Sequence, residues 1–238
     1  MKQFLDACLK ANLQISEYLN NICESDLSFC PELGFDNNQS YKLDLKCEKI
    51  FIEHLCNLGQ IFSEESGLIG ENSPYKIILD PLDGSSNFVS KIPFYGTSAA
   101  LFKDEEAQSA FICNLANHEI LIFDDNKNLK SNLFNPNYSP FLPNHFSQIG
   151  IVEKITLCPS LINHLAQNKL KFRSLGATAL SIAYAPYFSF VLVLGKTRIF
   201  DTAGALILCK NLYIENNENF LLISKDKKIF DIILEFLK

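Results

Sequence analysis

Asp80-Pro81-Leu82-Asp83-Gly84-Ser85-Ser86-Asn87-Phe88 follows directly on an apolar run at 75–79. That run reads as a strand, and Pro81, with its fixed φ and missing N–H, ends it. Asp83 stands three residues beyond Asp80, in a tight turn that Gly84 permits. Two carboxylates leave the strand end together with the Leu82 carbonyl between them, an all-oxygen set suited to a hard cation such as Mg²⁺. Ser85, Ser86 and Asn87 favour a helix start, and the N–H groups of a first turn can receive anionic oxygens. One short segment thus offers cation ligands and an anion cradle side by side. Taken alone, D-x-x-D-G also describes an Asx turn followed by a helix cap, the commoner meaning of that pattern.

On the N-terminal side, Phe4, Cys8, Ala11, Ile15, Leu19 and Ile22 recur at steps of three and four, which predicts an amphipathic helix over 1–23. Residues 25–43 are polar and read as a loop, and a second helix follows Asp44 with Cys47, Phe51, Leu55 and Leu58 on one side. A short apolar pair, Ile61-Phe62, runs into Ser63-Glu64-Glu65. Beyond the opening segment, strands are expected over 95–102, 110–115 and 119–123, and 124–147, rich in Asn, Pro and Ser, reads as an excursion outside the core. Strands over 148–152, 188–194 and 220–223 then alternate with helices over 159–170, 176–185, 201–212 and 226–237. The alternation lacks the βαβ rhythm of a doubly wound sheet and predicts a layered α+β fold. Residues 1–145 form the helix pair and larger sheet in this reading. Residues 146–238 form an α/β lobe packed against it as one compact unit.

The chain has 238 residues, 47% of them hydrophobic, enough for a substantial core. Its formal charge of −6 opposes a general nucleic-acid binder and means that any anion must be met by a local positive source. The eight cysteines are scattered without a CxxC pair and read as reduced, mostly buried thiols rather than as a zinc site. The N-terminal stretch carries Asp6, Asn12 and Glu17, unlike a signal peptide. The longest apolar stretch, 183–195, is interrupted by Pro186 and Ser189 and falls short of the ~20 residues of a membrane span. A soluble, cytoplasmic protein without membrane contact is expected.

The full string DPLDGSSNF resembles the metal-binding signature of the inositol monophosphatase and fructose-1,6-bisphosphatase superfamily, D-P-[IL]-D-G-[TS]-T-N-F in the monophosphatases. Further segments match in family order: Lys42-Leu43-Asp44, Ser63-Glu64-Glu65, Arg173-Ser-Leu-Gly-Ala-Thr-Ala-Leu180 and Arg198-Ile-Phe-Asp201-Thr-Ala-Gly-Ala-Leu206. Each alone has a plainer meaning: Glu64-Glu65 a solvated pair, Asp201 a helix N-cap, Lys42 surface charge. Together they span nearly the whole chain.

The resemblance implies an α-β-α-β-α sandwich and the hydrolysis of a phosphate monoester of a small polyol or sugar. It implies that Glu64, Asp80, the Leu82 carbonyl, Asp83 and Asp201 bind two Mg²⁺ ions, with a weaker third site at Asp44 and Glu65 and with Mn²⁺ able to substitute. Glu64 and Ser85 would orient the attacking water. Gly84, Ser85 and Ser86 would hold phosphate, and Gly176, Ala177 and Thr178 would approach the rest of the substrate. Leu194 stands where the monophosphatases carry an acid that grips sugar hydroxyls, and Tyr41 where a Thr is usual. A 3′(2′),5′-bisphosphate nucleotidase is a weaker alternative, since Ser85-Ser86-Asn87 departs from its motif. A catalytically degenerate interaction protein is the other. Lys196 and Arg198 flank Asp201 and could steer a phosphorylated substrate, though solvated turn charges are the plainer reading, and a homodimer is expected by analogy alone.

Overall fold

The structure is a computed structural model that describes residues 2–35 and 39–238. Helix α1 (Lys2–Asn20) leads to a small hairpin of β1 (Phe29–Leu33) and β2 (Gln39–Tyr41), and α2 spans Lys42–Leu55. The stretch read as a loop thus pairs with itself; Asp36, Asn37 and Asn38 lie outside the described residues. Then follow β3 (Gln60–Ser63), β4 (Gly67–Ile69), β5 (Tyr75–Asp83), α3 (Ser85–Val89), β6 (Gly96–Lys103), β7 (Glu106–Asn114), β8 (Glu119–Asp124), β9 (Lys127–Asn132) and β10 (Ser139–Pro140). The second half holds β11 (Ile149–Glu153), α4 (Ser160–Gln167), β12 (Lys171–Arg173), α5 (Thr178–Ala183) and β13 (Phe190–Leu194). It closes with α6 (Ile199–Thr202), β14 (Tyr213–Asn216), β15 (Phe220–Ser224) and α7 (Lys227–Leu237).

Strands β3 to β10 form one eight-stranded sheet in the order β10-β9-β8-β7-β6-β5-β3-β4, antiparallel except for the β3–β5 pair. A second sheet of five strands runs β12-β11-β13-β15-β14, with β11 parallel to both neighbours. Side chains alternate across a strand, so each sheet serves two cores. On β5, β6 and β7, Ile77, Leu79, Ala99, Leu101, Phe111 and Cys113 face α1 and α2. Ala100, Ala110 and Ile112 face the other way, toward Leu180, Ile182 and Ala183 of α5 and toward Val191, Val193, Leu221 and Ile223 of the second sheet. The outer face of that sheet, Phe190, Leu192, Phe220 and Leu222, buries Leu161 and Leu165 of α4 and Phe230 and Ile233 of α7. The result is an α-β-α-β-α stack. Burial on both faces explains why β13 and β15 read as unbroken apolar runs rather than as alternating ones.

Strand β5 does not end at Pro81. Its pairing with β6 passes from Asp80 opposite Ser98 to Asp83 opposite Gly96, one extra residue on the β5 side. That is a β-bulge, which accommodates a proline and re-aims the side chains around it. Gly96 is needed there, because a Cβ on it would lie 2.0 Å from the Cys113 carbonyl oxygen of β7. The excursion expected over 124–147 instead supplies β9 and β10 to the sheet edge and buries Leu133 and Phe141. The helix expected over 201–212 is a short α6 followed by a separate 3₁₀ turn, Leu206–Cys209. Between them Gly204 packs so near Ser98 Oγ and Ile112 Cδ1 that a Cβ would lie 3.0 Å from each. Of the cysteines, Cys8, Cys30, Cys47, Cys113 and Cys209 are buried. Among the described residues no helix is long and apolar enough to cross a membrane.

Candidate active site

The bulge of β5 brings two carboxylates to the junction of the two sheets. Asp80 is 2% exposed; its Oδ1 accepts from the Leu82 N–H at 3.1 Å, while the buried Oδ2 has no hydrogen-bond partner among the described residues. Asp83 accepts the Leu180 N–H of α5 at 2.8 Å. Asp201, 1% exposed in the first turn of α6, turns its carboxylate to the same point. Asp80, Asp83 and Asp201 each offer a carboxylate oxygen within 4.8 Å of the others. Asp201 is not a helix cap. Arg198 holds the cap position, and its guanidinium donates Nε and Nη2 to the two Asp201 oxygens at 3.1 and 3.0 Å.

Glu64 follows β3, anchored by its N–H to the Leu79 carbonyl of β5 at 3.1 Å, and its carboxylate accepts from Nη1 of the same Arg198. Arg198 is therefore no solvated charge but the cation shared by Glu64 and Asp201. Lys196, by contrast, is exposed and pairs with exposed Glu218. Helix α2 begins at Lys42, three residues earlier than expected, so Asp44 lies in its first turn and accepts the Tyr41 N–H at 2.8 Å. One turn on, Glu48 accepts the Ser66 N–H and hydroxyl at 3.0 and 2.5 Å, tying α2 to the Glu64–Glu65 turn. Glu65 accepts from the Ser40 hydroxyl.

Of these groups, Ser40, Asp44, Glu64, Glu65, Asp80, Asp83 and Arg198 line a polar cavity of about 200 Å³ that also includes Leu82, Gly84, Ser85, Ser86, Gly176 and Thr178. Gly84 adopts φ +79°, which a side chain resists, and a Cβ there would meet the Ala177 methyl at 2.9 Å. Ala177 itself is fully buried against that glycine and does not line the cavity. Asn87, expected only to favour a helix start, joins the two halves. Its Nδ2 donates to the carbonyls of Phe94 and Leu175, each at 2.7 Å. Leu194 points into the outer core with α4 and α7, away from the cavity.

Burial of so many acids in one place shows in their protonation. Burial pushes Glu64 up to about 7, against the lowering pull of Arg198. Burial, with the charge of Glu65 added, pushes Asp44 up to about 8. Asp80 and Asp83 are held well above the usual carboxylate range, by burial first, then by the charge of Glu64 on Asp80 and of Asp201 on Asp83. Folded-state values above the unfolded ones mean stability that is present at low pH and lost as pH rises through them. In excess chelator the melting temperature is expected to fall as pH rises from about 5 to about 8, a window set by Glu64 and Asp44. The fall should be steeper in Arg198→Met, which removes the pull that lowers Glu64. A flat melting profile across that range would contradict this reading.

The acidic centre fits a hard cation. Its donors are all oxygens, three converge within bonding range of one ion, and Asp80 Oδ2, unpartnered among the described residues, is a buried acceptor that needs a positive partner.

Residues 36–212 match the model of the inositol monophosphatase family. The chain is 25% identical to a fructose-1,6-bisphosphatase/inositol-1-monophosphatase of Methanocaldococcus jannaschii over 248 aligned positions, 93% of this chain and 94% of that protein. A segment of 71 residues is 41% identical to a fructose-1,6-bisphosphatase of Pyrococcus furiosus, covering 29% of this chain and only 28% of that protein. Among solved structures, a Thermotoga maritima IMPase superposes with a TM-score of 0.79 at 18% identity, covering 100% of this chain and 98% of that one. With residues 36–212 matched by its model, the chain belongs to the inositol monophosphatase family, and it is a phosphatase.

Proposed function

We propose that the protein hydrolyses a phosphate monoester of a small polyol or sugar in a Mg²⁺-dependent reaction. The observation that carries this reading is the convergence of Asp80, Asp83 and Asp201 on one point, beside Glu64 and at the mouth of the Gly84–Ser86 turn. Asp80, Asp83 and Asp201 would hold one ion. Glu64, Asp80 and the Leu82 carbonyl would hold a second, with Asp44 and Glu65 at a weaker third. When bound, Mg²⁺ neutralises phosphate charge and acidifies water, and Mn²⁺ can take the same oxygen donors.

The chain's own residues do the rest. The backbone N–H groups at Gly84 and Ser85 hold phosphate oxygens. Helix α3 has only five residues, so this hold rests on local N–H groups more than on a helix dipole. Glu64 and the Ser85 hydroxyl orient the water for in-line attack on phosphorus. The P–O bond to the alcohol breaks as the new one forms, and the leaving alkoxide takes its proton from water, giving the alcohol and inorganic phosphate. Gly176 and Thr178 face the remainder of the substrate. With Leu194 turned into the core, hydroxyl recognition falls to groups at the rim such as Gln39, Ser40 and Thr178.

Residues 1–145 and 146–238 are read as one compact unit with the site between them, and a homodimer is carried over by analogy. A purely structural relative would have no need of every carboxylate, and this favours the enzyme over the interaction protein. The test is phosphate release from p-nitrophenyl phosphate and from a panel of sugar, inositol and nucleotide phosphates. Chelation should lower the rate by about a thousandfold, several kcal/mol of transition-state stabilisation, and Mg²⁺ should restore it. Added Li⁺ should inhibit. Activity indifferent to chelation would refute the proposal, and a preference for bisphosphorylated nucleotides would replace its substrate class.

A further inference from the structure

Glu153 is the last residue of β11 and is only 4% exposed, yet it is an acid in a strand that otherwise ends Gly150-Ile151-Val152. A buried carboxylate carries a desolvation cost of several kcal/mol, and good donors must offset it. All its donors come from one short segment. The Leu175 N–H reaches Oε1 at 3.3 Å and the Gly176 N–H reaches Oε1 and Oε2 at 3.2 and 3.1 Å. The hydroxyl of Ser181, itself fully buried, donates to Oε1 at 2.7 Å. The Ser174 hydroxyl adds a donation to the Val152 carbonyl on the same strand end. An ionised carboxylate is acceptor-only and can take two successive backbone N–H groups and a hydroxyl at once.

The held segment touches the chemistry at three points. Gly176 and Thr178 line the acidic cavity. The Leu175 carbonyl accepts from Asn87 of α3, and Ala177 packs on Gly84, so the segment backs the phosphate turn. The Leu180 N–H fixes the Asp83 carboxylate at 2.8 Å. Glu153 lies behind all of this and does not line the cavity.

We propose that Glu153, with Ser181, is a positioning residue for the hydrolysis: its carboxylate clamps the 175–181 segment so that Thr178 faces the substrate and the Leu180 N–H aims Asp83. The proposal rests on the phosphatase reading above. It assigns substrate affinity to a charge that touches neither substrate nor metal.

Glu153→Gln tests it with almost no change in shape. The amide NH₂ brings donors toward N–H groups that need acceptors, so the segment shifts while the core stays filled. Misplacement of this kind costs about 10- to 100-fold in activity or metal affinity. The expected result is a KM for the phosphate ester raised about tenfold or more, with weaker Mg²⁺ binding by calorimetry and a smaller fall in kcat. Ser181→Ala removes one donor and should show the same pattern at about threefold to tenfold, and it carries the test if Glu153→Gln does not fold. Variants that melt lower yet keep KM, kcat and Mg²⁺ affinity within about twofold of the parent would overturn the proposal. A parent protein without phosphatase activity would instead defeat the reading beneath it.

Discussion

Asp83→Asn is expected to lower kcat/KM toward any phosphate ester by about a thousandfold or more, because the proposed metal site would lose a charged ligand worth several kcal/mol in the transition state. The substitution is nearly isosteric. The amide oxygen can still accept the Leu180 N–H that Asp83 accepts at 2.8 Å, so the fold should persist. Stability in chelator should hold or rise, since the acid is buried and held well above the usual carboxylate range by that burial and by Asp201. Activity and stability should therefore move apart, the signature of an acid kept for chemistry at a cost to folding. Phosphate release and a melting curve on the same sample provide the check. Activity near that of the parent at saturating Mg²⁺ would remove Asp83 from the metal site.

Phe111→Ala should have the opposite profile. Phe111 is fully buried in the middle of β7, packed in the core that joins the large sheet to α1 and α2. Truncation removes the ring's burial and leaves a cavity, together about 3–5 kcal/mol. In a chain of this size that corresponds to a melting temperature lower by about 10 °C. Phe111 does not line the acidic cavity, so kcat/KM of the folded variant at 20 °C should stay within about twofold of the parent. A chemical denaturation curve measures the first quantity and a steady-state assay the second. A loss below about 1 kcal/mol would mean that the helices are held by something other than this core.

Some features were legible because they are local. The period of Phe4, Cys8, Ala11, Ile15 and Leu19 predicts α1, and all five are buried there. The apolar runs at β13 and β15 are strands because both their faces are covered, a pattern written in composition alone. Other expectations failed where a tertiary contact overrode the local signal. Pro81 would end an isolated strand, but here it sits in a bulge that the Asp83–Gly96 pairing closes. Asp201 has the chemistry of an N-cap, but its oxygens are taken by Arg198, whose guanidinium is drawn in by buried Asp201 and half-buried Glu64. The stretch after Asp124 has loop composition, but Leu133 and Phe141 give it enough apolar surface to join the sheet.

By itself the sequence determined the layered α+β body through its alternation of elements, and it singled out the acids at 64, 80, 83 and 201 and the glycine at 84 as candidates for the site. Their types and local spacings are covalent facts, and the chemistry of each follows from its own atoms. Only the tertiary structure decided that Glu153 faces the 175–181 segment, that Arg198 lies between Glu64 and Asp201, and that Leu194 turns away from the cavity. Those outcomes depend on which face of a strand is covered and on which donors lie near a buried charge. Such quantities are set when distant segments pack, and no local pattern carries them.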